Sequence, residues 1–414
     1  MIIIIIITII IGGLFNIKNS SNVDDFVQID ALRGFQLAID EINNDPAFNT
    51  VLTLHDDSVT TGYYGKYGGT IFANDITSTA NSIVNAYGTT GVDVIINAGD
   101  DDICIGSNVI LTEKMVPTIL LNAYSQQFGD GSAYPYKAQV NLIETYYGMV
   151  FQNIMCEHME AILHPDRITN YAIFTSADTF GGQIKVESND DTFCEGQMKI
   201  TYAAYASADE EDFSGYIQQA LDQNIKIFLV ALEPRKTGLF LQQSHKYGLS
   251  KEGSQIFILD RSFSPTYSFW TDIGENKTFL HQQEVDNALL GVIAIVEAKY
   301  YHMLYSAAGN IFTNNFLTSN SLQTPKRSSI TDDYEISPLA AYAYDAVYLF
   351  AIAARKFINE FPTATGITGD STTIDNFMAC FFNVSFAGAT GKIDIFEGMV
   401  DFGGYGRGDR EEGL

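Results

Sequence analysis

Two short polar stretches carry the residues best suited to hold a small molecule. The first is Gly99-Asp100-Asp101-Asp102-Ile103-Cys104-Ile105-Gly106-Ser107, between an apolar run at Val92–Ile96 and a helix read from about Ser107 to Lys114. Free N–H groups and the macrodipole at a helix start favour an anion, so Ser107 and the amides around Gly106 are candidate holders of a carboxylate. Three aspartates crowd the same turn. Either they cap the helix end and face water, or they repel a carboxylate and select a cationic or neutral ligand, or one held with calcium. The second stretch is Asn122-Ala123-Tyr124-Ser125, a polar loop after the apolar run Thr118–Leu121. Catalysis has no comparable signature. GxSxG, HExxH, GxxxxGK[ST] and a GxGxxG after a strand are all absent from the sequence. The six histidines are scattered, His158 and His164 lack a ligand spacing, and no nucleophile is paired with a base. The chain is expected to be a binder, not an enzyme, with neither cofactor nor metal.

The remaining composition sets the frame for such a site. With 414 residues, 46% apolar and only 18% charged, the chain folds and is long enough for two lobes. Fifty acidic against 23 basic residues give a net charge of −27, which repels nucleic-acid phosphate and anionic lipid. A nucleic-acid partner is excluded on that ground. Cys104, Cys156, Cys194 and Cys380 form neither CxxC nor zinc spacing. Cys156 and Cys194 stand on neighbouring elements and form a disulfide if the surroundings oxidise, or remain buried thiols. Glycosylation sequons stand at Asn19, Asn276 and Asn383 and matter only if the chain is secreted.

The elements that must position these residues alternate between strand and helix. Met1–Ile11 is an isoleucine run broken by one threonine, too short to span a bilayer and without a basic region or cleavage site. It reads as a strand buried on both faces of a parallel sheet, with a signal anchor as the alternative. Leu32, Phe35, Ile39 and Ile42 mark a helix over Phe26–Asn44, ended by Asn43-Asn44-Asp45-Pro46. A strand at Val51–Leu54, a helix at 68–87, the strand at Val92–Ile96 and that at Thr118–Leu121 complete a first alternating series. A second series follows: a helix at Leu142–Leu163, strands at Tyr171–Phe174 and Met198–Tyr202, a helix at Phe213–Gln223, a strand at Ile225–Leu232, a helix at Gly238–Tyr247 and a strand at Gln255–Leu259. Residues 288–307 read as partly helical and 308–337 as a long loop. Alternation of this kind predicts doubly wound parallel sheets, with ligands beyond the carboxyl ends of the strands.

The most informative stretches lie late in the chain. Tyr342-Ala343-Tyr344-Asp345 opens a mostly apolar helix read over Leu339–Phe357, and Phe386-Ala387-Gly388-Ala389-Thr390-Gly391 turns into a short strand ending at Phe396. This pair, with Gly12-Gly13-Leu14-Phe15 near the start and Tyr134–Val140 as a first hinge crossing, resembles the type I periplasmic-binding-protein fold. In eukaryotes that fold forms the ectodomain of family C G-protein-coupled receptors and natriuretic-peptide receptors. The Tyr-Ala-Tyr-Asp form is most similar to the GABA type B receptor branch. That branch carries an aromatic after the second-lobe strand ending near Leu232 and a tryptophan soon after the next strand. Here Leu232-Glu233 and Arg261-Ser262 stand at those places, with Phe263 or Tyr267 as the available aromatics.

The resemblance implies a clamshell of two doubly wound α/β lobes joined by a multi-strand hinge and closing on a small molecule. Its implied divisions are 1–140 for the first part of lobe 1, 141–263 for the first part of lobe 2, 264–385 for the return to lobe 1 and 386–414 for a final crossing and lobe 2 tail. Ligand contacts are implied for Ser107, Tyr124 and Ser125 on lobe 1, and for Asp260 and Arg261 on the far side. The function implied is an extracellular, amino-acid-like ligand-binding domain of a receptor, joined to the membrane by a segment not present in this chain and dimerising through lobe 1. The alternative is a soluble solute-binding protein that delivers its ligand to a transporter.

Overall fold

The computed structural model describes residues 7–15, 26–56, 59–60, 92–99, 101–129, 131–141, 148, 150–151, 154–158, 170–176, 199–207, 210–232, 234–249, 254–260, 289, 291–296, 298–319, 336–364, 366–367, 370–396 and 399–401. The chain divides into two compact units, Met1–Leu142 with Ala298–Leu414, and Ile143–Glu297.

In the first unit the isoleucine-rich stretch is a strand, β1 (Ile7–Phe15), parallel to β2 (Leu52–Asp56) on one side and to β4 (Val94–Asn97) on the other. The short β3 (Val59–Thr60) pairs with Leu14 and Phe15 of β1. Ile9 and Ile11 are buried on one face and Leu14 on the other, as a strand covered on both faces requires. The parallel order continues through β5 (Thr118–Leu120) and β6 (Lys137–Gln139). Three late strands extend it, β12 (Ser385–Gly388), β13 (Gly391–Phe396) and β14 (Met399–Asp401). β14 runs parallel to β6, and β13 is antiparallel to both its neighbours.

Helices α1 (Phe26–Asn44) and α8 (Pro338–Glu360) carry much of the core on this sheet. Leu32, Phe35, Ile39 and Ile42 of α1 are all buried. Gly34 lets the two helices touch, since a Cβ there would overlap the Ala340 carbonyl oxygen. Arg33 of α1 is buried too, donating to the Phe316 and Ser319 carbonyls at 3.1 and 2.8 Å with its guanidinium 5.2 Å from the centre of the Phe316 ring.

The two late sequence stretches meet in this unit. Asp345 on α8 is 1% exposed and accepts from Ala389 N (2.7 Å), Thr390 N (2.8 Å) and Thr390 Oγ1 (2.6 Å). These donors form the two-residue turn between β12 and β13, closed by the Gly388–Gly391 pair. A Cβ on Gly388 would stand 2.6 Å from Asp345 Oδ2, and Gly391 adopts φ +113°, so both glycines are required by the turn. Beside it, Glu41 of α1 accepts from Tyr348 (3.0 Å) and Tyr344 (2.5 Å) and, on its other oxygen, from Asn315 (2.7 Å). Burial, first of all, pushes both tyrosine hydroxyls well above their ordinary range.

The second unit is a parallel sheet in the order β11 (Ile293–Val296), β10 (Gln255–Asp260), β9 (Ile227–Ala231), β7 (Asn170–Ser176), β8 (Lys199–Ala206). Helices α4 (Ser214–Asp222) and α5 (Pro234–Lys246) contribute to its core, where the Phe174 and Phe240 rings lie 4.7 Å apart. Phe151 packs against Tyr171 and Phe257 at 5.2 and 5.4 Å.

Several features differ from the sequence reading. The chain returns to the first unit at Ala298, not at 264, because Ile293–Val296 pairs with β10 as a further strand. A four-residue apolar run does not distinguish strand from helix by periodicity. Of the stretch read as a final crossing from 386, the described residues form β12, β13 and β14, which belong to the sheet of the first unit. The region read as a loop from 308 contains α7 (Ala307–Thr318), capped by the Ser306 hydroxyl on Gly309 N and packed on the preceding α6 (Ala298–Tyr305). Its breakers are outweighed by burial of Phe312 and Phe316, one turn apart. A further helix, α9 (Ser371–Phe381), is capped by Asp370 and buries Ile374, Phe377, Met378 and Phe381. The helix read from Ser107 begins at Asp101, as α3 (Asp101–Glu113). The helix at 68–87, most of that at 142–163 and the segment 261–287 lie outside the described residues.

Candidate functional site

The carboxyl ends of β4, β5 and β6, with the start of α3, form a belt of polar groups inside the first unit. Asn97, the last residue of β4 and fully buried, donates to Ser107 Oγ at 2.9 Å and accepts from Gly99 N at 2.9 Å. Ser107 passes the contact on, donating to the Cys104 carbonyl at 3.2 Å. From α1, Gln28 Nε2 reaches the Ala98 carbonyl at 2.8 Å. The loop after β4 is therefore held by side chains from three elements.

The loop after β5 is held from two directions. Asp101, the first residue of α3 and half-buried, accepts from Tyr124 N at 2.6 Å and from Ser125 N at 2.8 Å, both on Oδ1. From the end of β6, Gln139 Nε2 and Asn141 Nδ2 both donate to the Ala123 carbonyl, the latter at 2.6 Å. Gln139 Oε1 and Asn108 Nδ2 are buried with no hydrogen-bond partner among the described residues. Buried polar atoms left in that state are costly.

The sequence candidates fall unequally on this belt. Tyr124 and Ser125 lie in it, both buried, and it is their backbone amides that are engaged by Asp101. Ser125 Oγ accepts from Gln127 N at 3.3 Å. Ser107 is 1% exposed and two turns inside α3, so the helix-end role read for it is corrected: its hydroxyl serves Asn97 and Cys104. Asp101 does not merely cap the helix towards water, and Asp100 lies outside the described residues. No group of three or more His, Cys, Asp or Glu suited to a metal occurs among the described residues.

On the second unit, Asp260 ends β10 with its side chain outside the described residues, as is the whole of Arg261. Cys156 is disulfide-bonded, while Cys104 and Cys380 are buried thiols outside any disulfide. Cys194, with Asn19 and Asn276, lies outside the described residues. Asn383 is exposed in the turn between α9 and β12. Sequence reasoning did not single out Asn97, Gln28, Gln139 or Asn141. The available signals were a polar residue ending an apolar strand and one on the apolar side of an amphipathic helix.

Comparison with known proteins agrees with this architecture. Across 95% of its length the chain matches the two-lobed periplasmic-binding-protein-like fold of small-molecule binders. The branched-chain amino acid transporter substrate-binding protein LivJ of Streptococcus pneumoniae, solved with isoleucine, is 16% identical with a TM-score of 0.62 over 95% of this chain and 98% of that one. A solute-binding protein of an ABC transporter from Rhodopseudomonas palustris, solved with 3,4-dihydroxybenzoic acid, is 15% identical with a TM-score of 0.63 over 95% and 90%. The leucine-binding protein LivK of Thermotoga maritima is 14% identical with a TM-score of 0.64 over 95% and 93%. The sequence profile of the receptor family ligand binding region matches residues 30–399, and the chain belongs to that family. The match does not single out the GABA type B branch. Comparison with curated protein sequences gives no match.

Proposed function

We propose that the chain captures a small molecule at the carboxyl ends of β4, β5 and β6 in its first unit and serves as a solute-binding protein for a transporter. One observation carries this reading. Side chains from α1, α3, β4 and β6 are spent on fixing two short loops at the edge where parallel sheets bind ligands. A fold needs no such investment to end two strands, and preorganised polar loops are what a small-molecule site requires. The structural relatives support the transporter role, since those described above include solute-binding proteins solved with one small acid each. The disulfide at Cys156 supports an oxidising compartment, periplasmic or extracellular. No described helix is long and apolar enough to cross a membrane.

A second reading, the ligand-binding ectodomain of a membrane receptor, is favoured by the description of the matched family as a receptor ligand-binding region. Both readings share the site and differ in what the bound form meets. Thermal melting against aliphatic amino acids, amines and aromatic acids, followed by calorimetry of each hit, tests the shared claim. A saturable, one-to-one stabilisation is expected, weakened at least about tenfold in the Gln139→Leu variant, the scale of one buried polar contact. No stabilisation by any class, or unchanged affinity in the variant, overturns the assignment.

A further inference from the structure

We propose that Asp101 is a resident carboxylate that fills the place a ligand carboxylate would take, so that the site selects a ligand presenting a cationic or neutral donor group. The inference rests on the small-molecule reading above and narrows its ligand class. Two consecutive backbone N–H groups, of Tyr124 and Ser125, converge on the single Oδ1 atom at 2.6 and 2.8 Å. Consecutive amides pointing at one oxygen are an anion-binding arrangement, and the bonds they make to a carboxylate are short and strong. Here the anion is part of the chain and sits at the start of α3, where the helix dipole also favours it. A ligand carboxylate brought to about 4 Å from Asp101 would be disfavoured roughly a thousandfold at an effective dielectric constant of about 20.

The second observation is independent of the helix end. The Ala123 carbonyl, next to the same two amides, takes hydrogen bonds from both Gln139 and Asn141. This fixes the Gln139 amide, because a flipped group would set its oxygen against the Ala123 oxygen. Its Oε1 is then left buried with no partner among the described residues, at the segment Asp101 holds. Around Ala123–Ser125 the donors are thus engaged while an acceptor is not. An ammonium or amide N–H answers that pattern, and a carboxylate does not. The isoleucine and 3,4-dihydroxybenzoic acid of the structural relatives are carboxylic acids, so the ligand class inferred here departs from theirs.

Three measurements on the full chain decide the matter. In thermal melting with acetate against chloride at matched ionic strength, D101A is expected to gain a saturable stabilisation that the wild type lacks. In amide NMR spectra of the wild type, the Tyr124 and Ser125 resonances are expected to stay unmoved by acetate. In calorimetry with matched pairs of an amino acid and its decarboxylated amine, the wild type is expected to take the amine, with D101N weaker by roughly ten- to hundredfold. Acetate-induced movement of Tyr124 and Ser125 in the wild type, or a folded D101A indifferent to acetate, overturns the proposal. If D101A does not fold, the wild-type spectra decide alone. Failure of every probe to bind the wild type in calorimetry would instead count against the small-molecule reading, while the acetate experiments still judge Asp101.

Discussion

Replacing Asp345 by alanine tests the physical account of the first unit at its most concentrated point. The carboxylate is 1% exposed and is the acceptor for two backbone amides and one hydroxyl of the β12–β13 turn. A buried donor stripped of its acceptor costs about 1–3 kcal/mol, and bonds to a charged acceptor contribute about 1.5–3 kcal/mol each. Simple addition would overshoot, because the cavity relaxes and the desolvation of the charge is relieved. The loss for D345A is therefore set at about 3–5 kcal/mol, the range found when a buried charged cluster is broken. D345N keeps the shape but places an NH₂ against a donor, so it should lose most of the same amount. Thr390→Val removes only the hydroxyl contact and should lose about 1 kcal/mol. G388A should couple strongly to D345A, since its Cβ strikes the carboxylate at 2.6 Å, and the double variant should lose less than the sum. Equilibrium urea unfolding followed by far-ultraviolet circular dichroism reads these differences. A D345A loss under about 1 kcal/mol with an unchanged slope would refute the reasoning.

Other consequences are more local. Gly34→Val should destabilise the first unit by about 1–3 kcal/mol, because α1 and α8 must separate to admit the side chain; an unchanged melting temperature would show that they do not touch there. Reduction of the Cys156 disulfide should lower the stability of the second unit by about 2–4 kcal/mol, seen as a shift of one calorimetric transition and not the other. Cys380 is pushed up to about 11, first by burial and then by Glu360, to which its thiol donates at 3.4 Å. A raised thiol favours the folded state below the unfolded value and loses that contribution as pH climbs from about 9 through about 11. C380S should flatten the alkaline fall in stability over that window, and Cys380 should resist alkylation at neutral pH in the native protein.

How much of this was legible in the residues varies with the range of the interaction. The helix over Phe26–Asn44 and the buried strand in the isoleucine run were readable because their burial is periodic or continuous along the chain itself. The Asp345 helix and the Gly388–Gly391 turn were recognisable as a pair, but their hydrogen bonds span 44 and 45 residues and are invisible to local pattern. The true start of α3 was missed because the aspartates and Gly106 suggest a loop, whereas Ile103, Cys104, Ser107 and Leu111 in fact line one buried face. At the site, Tyr124 and Ser125 were found, yet what engages them is main chain, which no side-chain motif encodes. Gln139 was read as part of a crossing; its role depends on β6 lying beside β5.

The central claim, that a small molecule is held at the β4–β6 edge of the first unit, is tested most directly by a hydrogen-exchange footprint. The probe is the tightest hit from the panel of amino acids, amines and aromatic acids. Protection confined to residues 97–107 and 121–141 is the expected result. Binding that leaves both segments exchanging at their unliganded rates would contradict it.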